Sequence, residues 1–457
     1  MRTNHREKTH VIWHRNRCLS ILGLLLSVLA LSALALAGCG SGVSPTPTGP
    51  SGDFSPTAIS TTTPLTTTPS PVPTPVGPPS TVPLTVWGPP QFSPGQEDAA
   101  QLVLQAQYRS FAESEDVAEV EYVPRVAYGE SGIVNFLINT NYAAPSVLPD
   151  LAIVDPFELH LLVREGLAQP LGGLISEELV EDLYPFAGEA CIVNDELLCL
   201  QFAADIEHLV YYTGALEEAP ATWADLFTEP VSYTFPAAGV GGLVNDAFLI
   251  QYLSQGGRLL DEQGQPALDD SAIQRVLRLY DAVHKWNVSP PTVLEMATLE
   301  DCWKAYTGGN ITVSHISSRQ YLASRAVMRD TDFAAVPTET GVPATMSRGW
   351  AFVVIAQSPE RQEAAAGLIE WLMAPENLAQ WTEASNHLPT SRSALPQVGW
   401  PTDYKEFLDT QLENAYHRPS STQFQRIAQA LQQAVVAVLT EELAPREARA
   451  QVMESLE

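Results

Sequence analysis

The sequence predicts an α/β protein whose folded part forms two lobes built on doubly wound sheets. Leu151–Val154 is an apolar run between turn-forming residues, which is typical of a strand buried on both faces. A helical pattern follows, with Leu159, Leu162 and Val163 on one face and Gly166 as its end. About 375 residues remain after the N-terminal segments. One core rarely covers that length, so we expect two lobes.

The first 38 residues have the pattern of a lipoprotein signal peptide. A basic start is followed by an apolar run over 19–37, and small residues precede the cysteine in Leu36-Ala37-Gly38-Cys39. We expect cleavage before Cys39, lipid on that cysteine, and anchoring to the outer face of the cytoplasmic membrane. A plain transmembrane anchor is the alternative, because the apolar run is about long enough to span a bilayer.

Residues 39–83 are rich in Ser, Thr and Pro and predict a disordered linker, while 84–457 predict the folded domain. The signal peptide holds five of the 24 basic and one of the 53 acidic side chains. The remainder therefore has 19 basic and 52 acidic side chains, a formal charge of −33. This charge argues against nucleic acid and anionic lipid surfaces as partners.

Strand and helix patterns alternate along the first part of the folded domain. Leu84–Gly88 predicts a strand, 97–111 a helix, 120–123 a strand and 133–138 a helix, and these precede the buried strand already described. Residues 209–212 predict a later strand. Such alternation is typical of a parallel, doubly wound sheet.

Two cysteines, Cys191 and Cys199, flank a predicted hairpin. A three-residue loop over 194–196 would place Val193 opposite Leu197 and the two cysteines opposite each other. An exported protein permits a disulfide there. The hairpin has no further cysteine or histidine beside it, which argues against a metal site.

The sequence shows little catalytic chemistry. It contains no phosphate-binding glycine loop ending in Lys-Ser/Thr, no His-Glu-x-x-His and no Gly-x-Ser-x-Gly. Its histidines lack metal-ligand spacing, and Cys302 is left over and expected to be buried. We therefore expect no cofactor, no metal and no enzymatic activity. The many carboxylates leave a glycosidase pair open.

A series of segments resembles, in the right order, the signatures of extracellular solute-binding proteins of ABC importers, in the maltose- and multiple-sugar-binding group. Each segment is weak alone, and together they span about 84–457. They are 149–171, 205–212, 220–226, 251–257, 303–313, 347–351, 375–377, 388–390 and 416–419.

The resemblance implies a periplasmic-binding-protein-like fold, with two α/β lobes joined by crossing hinge strands that close around a solute. The expected first lobe covers 84–204 and 305–345, and the second covers 205–304 and 346–457. By this resemblance the expected partners are a small solute, namely a carbohydrate, and the permease subunits of an ABC importer, and the protein itself is expected to be a monomer. An exported carbohydrate-active enzyme and a stalked sensor or adhesion module are the alternatives.

The expected ligand-binding residues combine aromatic rings with hydrogen-bonding groups, because sugars present apolar faces and hydroxyl rims. Trp350 is expected to form the platform, unless it only packs beside the last strand. Trp87 ends the first strand at the cleft edge. Asp155 and Phe157 follow the buried strand, where ligands of open α/β sheets bind. Asp205 stands where the resembling maltose binders have a hinge carboxylate.

Three positions depart from the family pattern, and two of these departures, at Arg348 and at 317–319, are expected on the ligand-facing side. Arg348 replaces the first glycine of a Gly-Gly-Trp stretch, and Ser317-Ser318-Arg319 stands where many sugar binders have Pro-Trp. Gln201 replaces a proline. Arg348 either hydrogen-bonds a hydroxyl or an anionic group of the ligand or pairs on the surface, and Ser317 is expected at the ligand. A polyol or a glycerol-phosphate-like anion therefore stays open beside a neutral sugar.

Overall fold

The computed structural model describes residues 83–114 and 119–457. The predicted signal peptide, Cys39 and the predicted linker up to residue 82 lie outside the described residues. Within the described part, no helix is both long and apolar enough to cross a membrane.

The described residues form strands that range from two to thirteen residues in length. The strands are β1 Leu84–Gly88, β2 Val120–Pro124, β3 Leu151–Val154, β4 Ile192–Val193, β5 Glu196–Leu197, β6 Leu200–Tyr212, β7 Tyr233–Thr234, β8 Val313–Ser317, β9 Thr331–Ala334, β10 Thr345–Val354, β11 Leu388–Pro389 and β12 Ala415–Tyr416.

The helices alternate with the strands in the first half of the chain and dominate its last quarter. They are α1 Ala99–Ser114, α2 Ile133–Ala143, α3 Leu159–Arg164, α4 Glu177–Glu181, α5 Pro185–Glu189, α6 Asp246–Leu253, α7 Asp270–Lys285, α8 Leu299–Thr307, α9 Ser318–Ser324, α10 Pro359–Met373, α11 Pro375–Ser385, α12 Thr402–Glu413, α13 Thr422–Leu439 and α14 Pro445–Leu456.

Most strands join one large mixed sheet in the order β2-β1-β3-β10-β6-β8-β7. Strands β2, β1 and β3 are parallel, as the alternation of strand and helix predicts. Strand β10 then runs antiparallel to both β3 and β6, so the sheet is not parallel throughout. The predicted α/β class with doubly wound topology is confirmed, and the predicted strands β1 and β3 have the expected bounds.

Strands β6 and β10 connect the two parts of this sheet. The first half of β6, up to Ile206, pairs with β10, and its second half, from Glu207, pairs with β8 and β9. The sequence predicts only the last four residues of β6 as a strand. Ten of its thirteen residues are buried, but Gln201, Asp205, Glu207 and His208 interrupt the apolar pattern, so the sequence shows only the end of the strand.

The buried side chains form two large clusters and a smaller third one, which packs α2 and α3 on the sheet. The first packs α1, α10, α11 and α12 on the sheet and includes Leu104, Phe352 and Leu408. The second packs α6, α7, α13 and α14 and includes Phe248 and Phe424. Two separate cores on one sheet agree with the two lobes that the chain length predicts.

The two cores do not follow the lobe boundaries expected from the sequence. Val313 and Val336, from the range 305–345, belong to the second cluster. Phe352 and Leu412, from the range 346–457, belong to the first. The boundaries stay a prediction. The clusters favour the first core for α10 to α12, because β10 carries the chain back into it, whereas α13 and α14 stay in the second core.

The hairpin over Cys191–Cys199 differs from its predicted register by one residue. Val193 pairs with Glu196 and Ile192 with Leu197, around a two-residue turn at Asn194 and Asp195. Both turn residues have positive φ, 53° and 65°, which suits a two-residue hairpin turn. Cys191 and Cys199 nevertheless form a disulfide, with their Cα atoms 4.9 Å apart. Cys302 is a free, buried cysteine, as expected.

Candidate binding site

A cavity of about 330 Å³ opens where β3, β6 and β10 lie side by side. Its walls come from the carboxyl ends of β2 and β3, the middles of β6 and β10, and segments near α9, β11 and α13. The lining residues are Tyr128, Asp155, Pro156, Phe157, Ala190, Gln201, Asp205, Arg319, Ser347, Arg348, Gly349, Trp350, His387, His417 and Arg418.

Asp155 is held in place at the carboxyl end of β3. The backbone N–H of Phe157 donates to its Oδ1 at 2.9 Å, and the Tyr128 hydroxyl donates to its Oδ2 at 2.9 Å. Burial raises the pKa of Asp155, although both donors oppose the shift. The carboxylate therefore presents a fixed acceptor to the cavity.

Trp350 is half-buried and clamped by two aromatic rings. The buried Phe92 meets it edge-on with centroids 5.2 Å apart, and Tyr128 lies 5.7 Å away at a tilt of 40°. Such contacts fix the orientation of the indole before any ligand arrives. The cavity thus has an aromatic surface beside the Asp155 carboxylate.

Asp205 lies in the middle of β6, directly opposite Arg348 in β10. The Ser318 hydroxyl and the Arg319 backbone N–H donate to its Oδ1 at 2.7 and 3.0 Å. Burial raises the pKa of Asp205, while these donors act in the opposite direction. A hinge-strand carboxylate therefore faces the cavity with one oxygen already engaged.

Asp246, the first residue of α6, lies beneath two arginines of the cavity wall. Its side chain is 3% exposed and accepts from Arg348 Nε at 2.5 Å and from Arg418 Nε at 2.6 Å. Burial alone would raise the pKa of Asp246, but the two guanidinium groups hold it below the usual value. The same contact raises the pKa of Arg348.

Two histidines complete the wall, and both favour the neutral form. His387 stacks on Trp381 with centroids 5.3 Å apart, and burial, then the charge of Arg319, lower the pKa of His387 to about 3. Burial also lowers the pKa of His417. Among the described residues, no group of His, Cys, Asp and Glu side chains could hold a metal ion.

Gly349 allows β10 to approach β6 closely at the cavity. A Cβ at this position would collide with the Ala203 carbonyl oxygen and with the Gln201 amide. Gln201, where the resembling family has proline, donates this amide to the Ala203 carbonyl at 3.2 Å and reaches the cavity wall. The absence of a side chain at Gly349 therefore sets the spacing of the two hinge strands.

Comparison with known proteins decides the family. A family model described as "Bacterial extracellular solute-binding protein" matches residues 111–409, which is 299 of the 457 residues. The chain belongs to this family. The predicted resemblance is thereby confirmed, and the family implies an exported protein. No curated protein matches the sequence.

Solved structures of similar fold are sugar-binding proteins. The cyclic α-maltosyl-1,6-maltose binding protein of Arthrobacter globiformis is 18% identical, with 82% of this chain and 98% of that chain covered at a TM-score of 0.68. The sugar-binding protein MalE of Xanthomonas citri is 18% identical, with 82% of this chain and 96% of that chain covered at a TM-score of 0.67. The maltotriose-binding protein of Thermus thermophilus is 17% identical, with 82% of this chain and 98% of that chain covered at a TM-score of 0.59. At these identities the likeness shows the fold.

Most residues expected at the ligand line one cavity of this solute-binding protein. Trp350, Asp155, Phe157, Asp205 and Arg348 are all on its wall. Arg348 lines the cavity and is also paired with the buried Asp246, so a contact between Arg348 and the ligand stays a prediction.

Trp87 and Ser317, also expected at the ligand, are not part of this lining. Trp87 is buried in the core, 5.4 Å from Phe136, with the guanidinium of Arg125 4.5 Å from its ring. Strand β1 lies between β2 and β3, so its terminal aromatic is covered by the neighbouring elements. Ser317 instead caps α9, where its hydroxyl oxygen accepts from the Gln320 N–H at 3.1 Å.

Several wall residues escape prediction from the sequence. Tyr128 follows β2 as Asp155 follows β3, so the shared carboxyl edge of parallel strands is a signal that could identify it. Arg418 is in a segment that carries the family resemblance, and Arg319 is in one that departs from the family pattern. For His387 and the underlying Asp246, the sequence offers no local signal.

Proposed function

We propose that this protein is the solute-binding lipoprotein of an ABC importer and captures a carbohydrate, either a sugar or a polyol, in the cavity beside Trp350. It delivers the solute to the permease and does not alter it chemically. The lipid on Cys39 holds it at the outer face of the membrane. Its function requires only that ligand stabilise one conformation over another.

The combination of Trp350 with fixed acceptors in one cavity carries this proposal. An indole surface matches the apolar face of a sugar ring, while Asp155 and Asp205 accept from its hydroxyls. The arginines Arg348 and Arg418 supply donors. A hydroxyl-rich neutral molecule needs both kinds of partner in a confined space, because unpaired polar groups are costly there.

The solved structures of similar fold support the same solute class, since they include a cyclic α-maltosyl-1,6-maltose binding protein and a maltotriose-binding protein. The cavity volume of about 330 Å³ is near the lower end of ligand pockets, about 300–1,000 Å³. This size favours a small ligand, so we propose a mono- or disaccharide or a polyol rather than a long oligosaccharide.

A thermal-shift screen against sugars and polyols, followed by calorimetry on the best ligand, tests the proposal. A ligand that binds only the folded protein raises its melting temperature. Trp350→Ala removes the aromatic platform, worth about 1–3 kcal/mol, so affinity should fall about 5- to 150-fold. Trp286→Ala is the matched control, because Trp286 is 76% exposed and outside the cavity wall.

Two results would contradict the carbohydrate proposal. One is the failure of every sugar and polyol to raise the melting temperature while an anion does so. The other is turnover of an oligosaccharide, which would favour an enzyme. If Trp350→Ala binds the ligand with wild-type affinity, another aromatic residue forms the platform.

Lipid anchoring has its own test. Mass spectrometry of the membrane fraction should detect a diacylated N-terminal peptide that begins at Cys39. Cys39→Ser removes the residue that would carry the lipid, so no acylated N-terminal peptide should be detected, and ligand affinity should not change. An unmodified N-terminus at another residue would refute the anchor and leave solute binding untouched.

A further inference from the structure

Asp246 connects two arginines of the cavity wall without lining the cavity itself. Its Oδ2 accepts from Arg348 Nε at 2.5 Å, and its Oδ1 accepts from both Nε and Nη2 of Arg418 at 2.6 Å. The side chains differ in exposure, 3% for Asp246, 17% for Arg418 and 55% for Arg348. The carboxylate is therefore buried behind guanidinium groups that face the ligand space.

The charges of the lining residues balance only when the carboxylate of Asp246, which is paired with two of them, is counted as well. Three arginines line the cavity, Arg319, Arg348 and Arg418, against two aspartates, Asp155 and Asp205. The two wall histidines favour the neutral form. Asp246 makes three carboxylates against three guanidinium groups. This balance is local, because the chain after the signal peptide carries 52 acidic and only 19 basic side chains.

We propose that Asp246 is a specificity-determining residue that neutralises Arg348 and Arg418, so that the cavity selects an uncharged, hydroxyl-rich solute over one with a carboxylate or phosphate. The inference rests on the proposed function and names its solute class more narrowly.

The hydrogen bonds of Asp246 explain how it would make the cavity discriminate against anionic ligands. An arginine fork binds a carboxylate or phosphate through two parallel hydrogen bonds. On Arg418, Nε and Nη2 already bind Asp246, and on Arg348 the Nε does so. An anionic ligand would have to compete with a carboxylate that is fixed in place, inside a strongly acidic protein. A sugar hydroxyl needs only one donor, and the exposed end of Arg348 still offers it.

A purely structural ion pair makes a different prediction. If Asp246 only holds α6 to β10, its loss should lower stability and weaken all ligands alike. If it sets the charge of the cavity, its loss should change the preference between neutral and anionic ligands. The ratio of the two dissociation constants therefore separates the two roles.

Calorimetry with matched ligand pairs measures this ratio in the full-length protein. The pairs are glucose and glucuronate, galactose and galacturonate, maltose and maltobionate, and glycerol and glycerol 3-phosphate. The wild type should prefer the neutral member of the pair that it binds. Asp246→Asn should shift the preference toward the anion by about tenfold or more, as one unit charge a few ångströms away implies. The carboxylate and phosphate pairs distinguish the two anion types.

Further variants keep the test decisive if Asp246→Asn is unstable. Arg348→Gln removes one positive charge and should shift the preference toward the neutral ligand. The double variant Asp246→Asn/Arg348→Gln has two guanidinium groups against two carboxylates and should return toward the wild-type ratio. Asp270→Asn is the matched control, because Asp270 pairs with Arg449 away from the cavity wall. It should leave the ratio unchanged.

Salt dependence provides a readout that a structural role would not alter. Anion affinity of Asp246→Asn should fall as sodium chloride rises from about 50 to 500 mM, and neutral-ligand affinity should stay constant. A ratio within twofold of wild type in Asp246→Asn overturns this inference alone. A wild type that prefers the anionic members, or binds none of the neutral ones, also overturns it. The broader sugar and polyol screen then decides separately whether the carbohydrate proposal survives.

Discussion

Gly349→Ala should destabilise the protein more than an added methyl group normally would. Gly349 lies in β10 opposite Ala204 of β6, between the cavity residues Arg348 and Trp350. A Cβ there would collide with the Ala203 carbonyl oxygen and the Gln201 amide. The amide can rotate away, but the carbonyl belongs to the neighbouring strand. The two strands would therefore have to separate where both cores depend on them.

The expected loss of stability follows from the fixed position of the Ala203 carbonyl oxygen. Overpacking by a methylene group costs about 1–3 kcal/mol, and a backbone obstacle favours the upper half of that range. The unfolding entropy of about 375 residues is roughly 0.8 kcal/mol/K, so a cost of about 2–3 kcal/mol lowers the melting temperature by about 2–4 °C. The φ of Gly349 is not positive, so the cost is steric and does not come from backbone strain.

Thermal unfolding and urea unfolding of the two alanine variants Gly349→Ala and Gly367→Ala test this reasoning. Gly367 lies inside α10, where an added Cβ would meet the Phe111 ring at 3.8 Å, an ordinary contact. Alanine favours a helix interior by about 1 kcal/mol over glycine, so this control should be neutral or stabilising. If Gly349→Ala melts within about 1 °C of wild type, the close approach of β6 and β10 does not constrain the fold.

Two further predictions concern covalent and protonation chemistry. Loss of the disulfide in Cys191→Ala/Cys199→Ala should lower the free energy of unfolding by about 2–3 kcal/mol, because the bond closes a loop with a sequence separation of only 8. Urea titration measures this loss. Two free thiols in the exported wild type would refute the disulfide. Glu158 has a buried Oε2 with no hydrogen-bond partner, and burial, then the charge of Asp155, raise the pKa of Glu158 from 4.5 to about 7. Since the folded state favours the protonated acid, this residue should make wild-type stability fall as pH rises from about 4.5 to about 7. The melting-temperature advantage of Glu158→Gln over wild type should therefore grow between pH 5 and pH 8, whereas a constant difference would contradict the raised pKa.

Local patterns were sufficient to predict the first three strands of the large sheet. Leu151–Val154 is apolar on both faces because β3 lies between β1 and β10, and burial of that kind is visible in the sequence. The hairpin was harder, since a two-residue and a three-residue turn differ by one position. Asn194 and Asp195 tolerate positive φ, which is the signal that favours the shorter turn.

The site could be predicted only where its residues follow a strand or belong to a family segment. Asp155 meets both conditions, and Trp350, which lies inside β10, meets the second. Asp246 meets neither, and its partners Arg348 and Arg418 are 102 and 172 residues further along the chain. Trp87 was expected at the ligand because it ends a strand, yet it is buried in the core. The position of a residue in a strand does not show whether neighbouring elements cover its side chain. Such pairings depend on how the sheet is ordered, which sequence periodicity does not encode.

The late position of β10 in the chain has a consequence for how the protein is made. The first core takes β1 to β3 from residues 84–154, but it also needs β10 and α10 to α12, which end at Glu413. Contacts of such long sequence separation form slowly, because loop closure precedes any gain from packing. During synthesis, the strands and helices that complete the first core are therefore absent until about nine-tenths of the chain has been made. For an exported protein, this order of elements favours an unfolded chain during translocation and folding on the far side of the membrane.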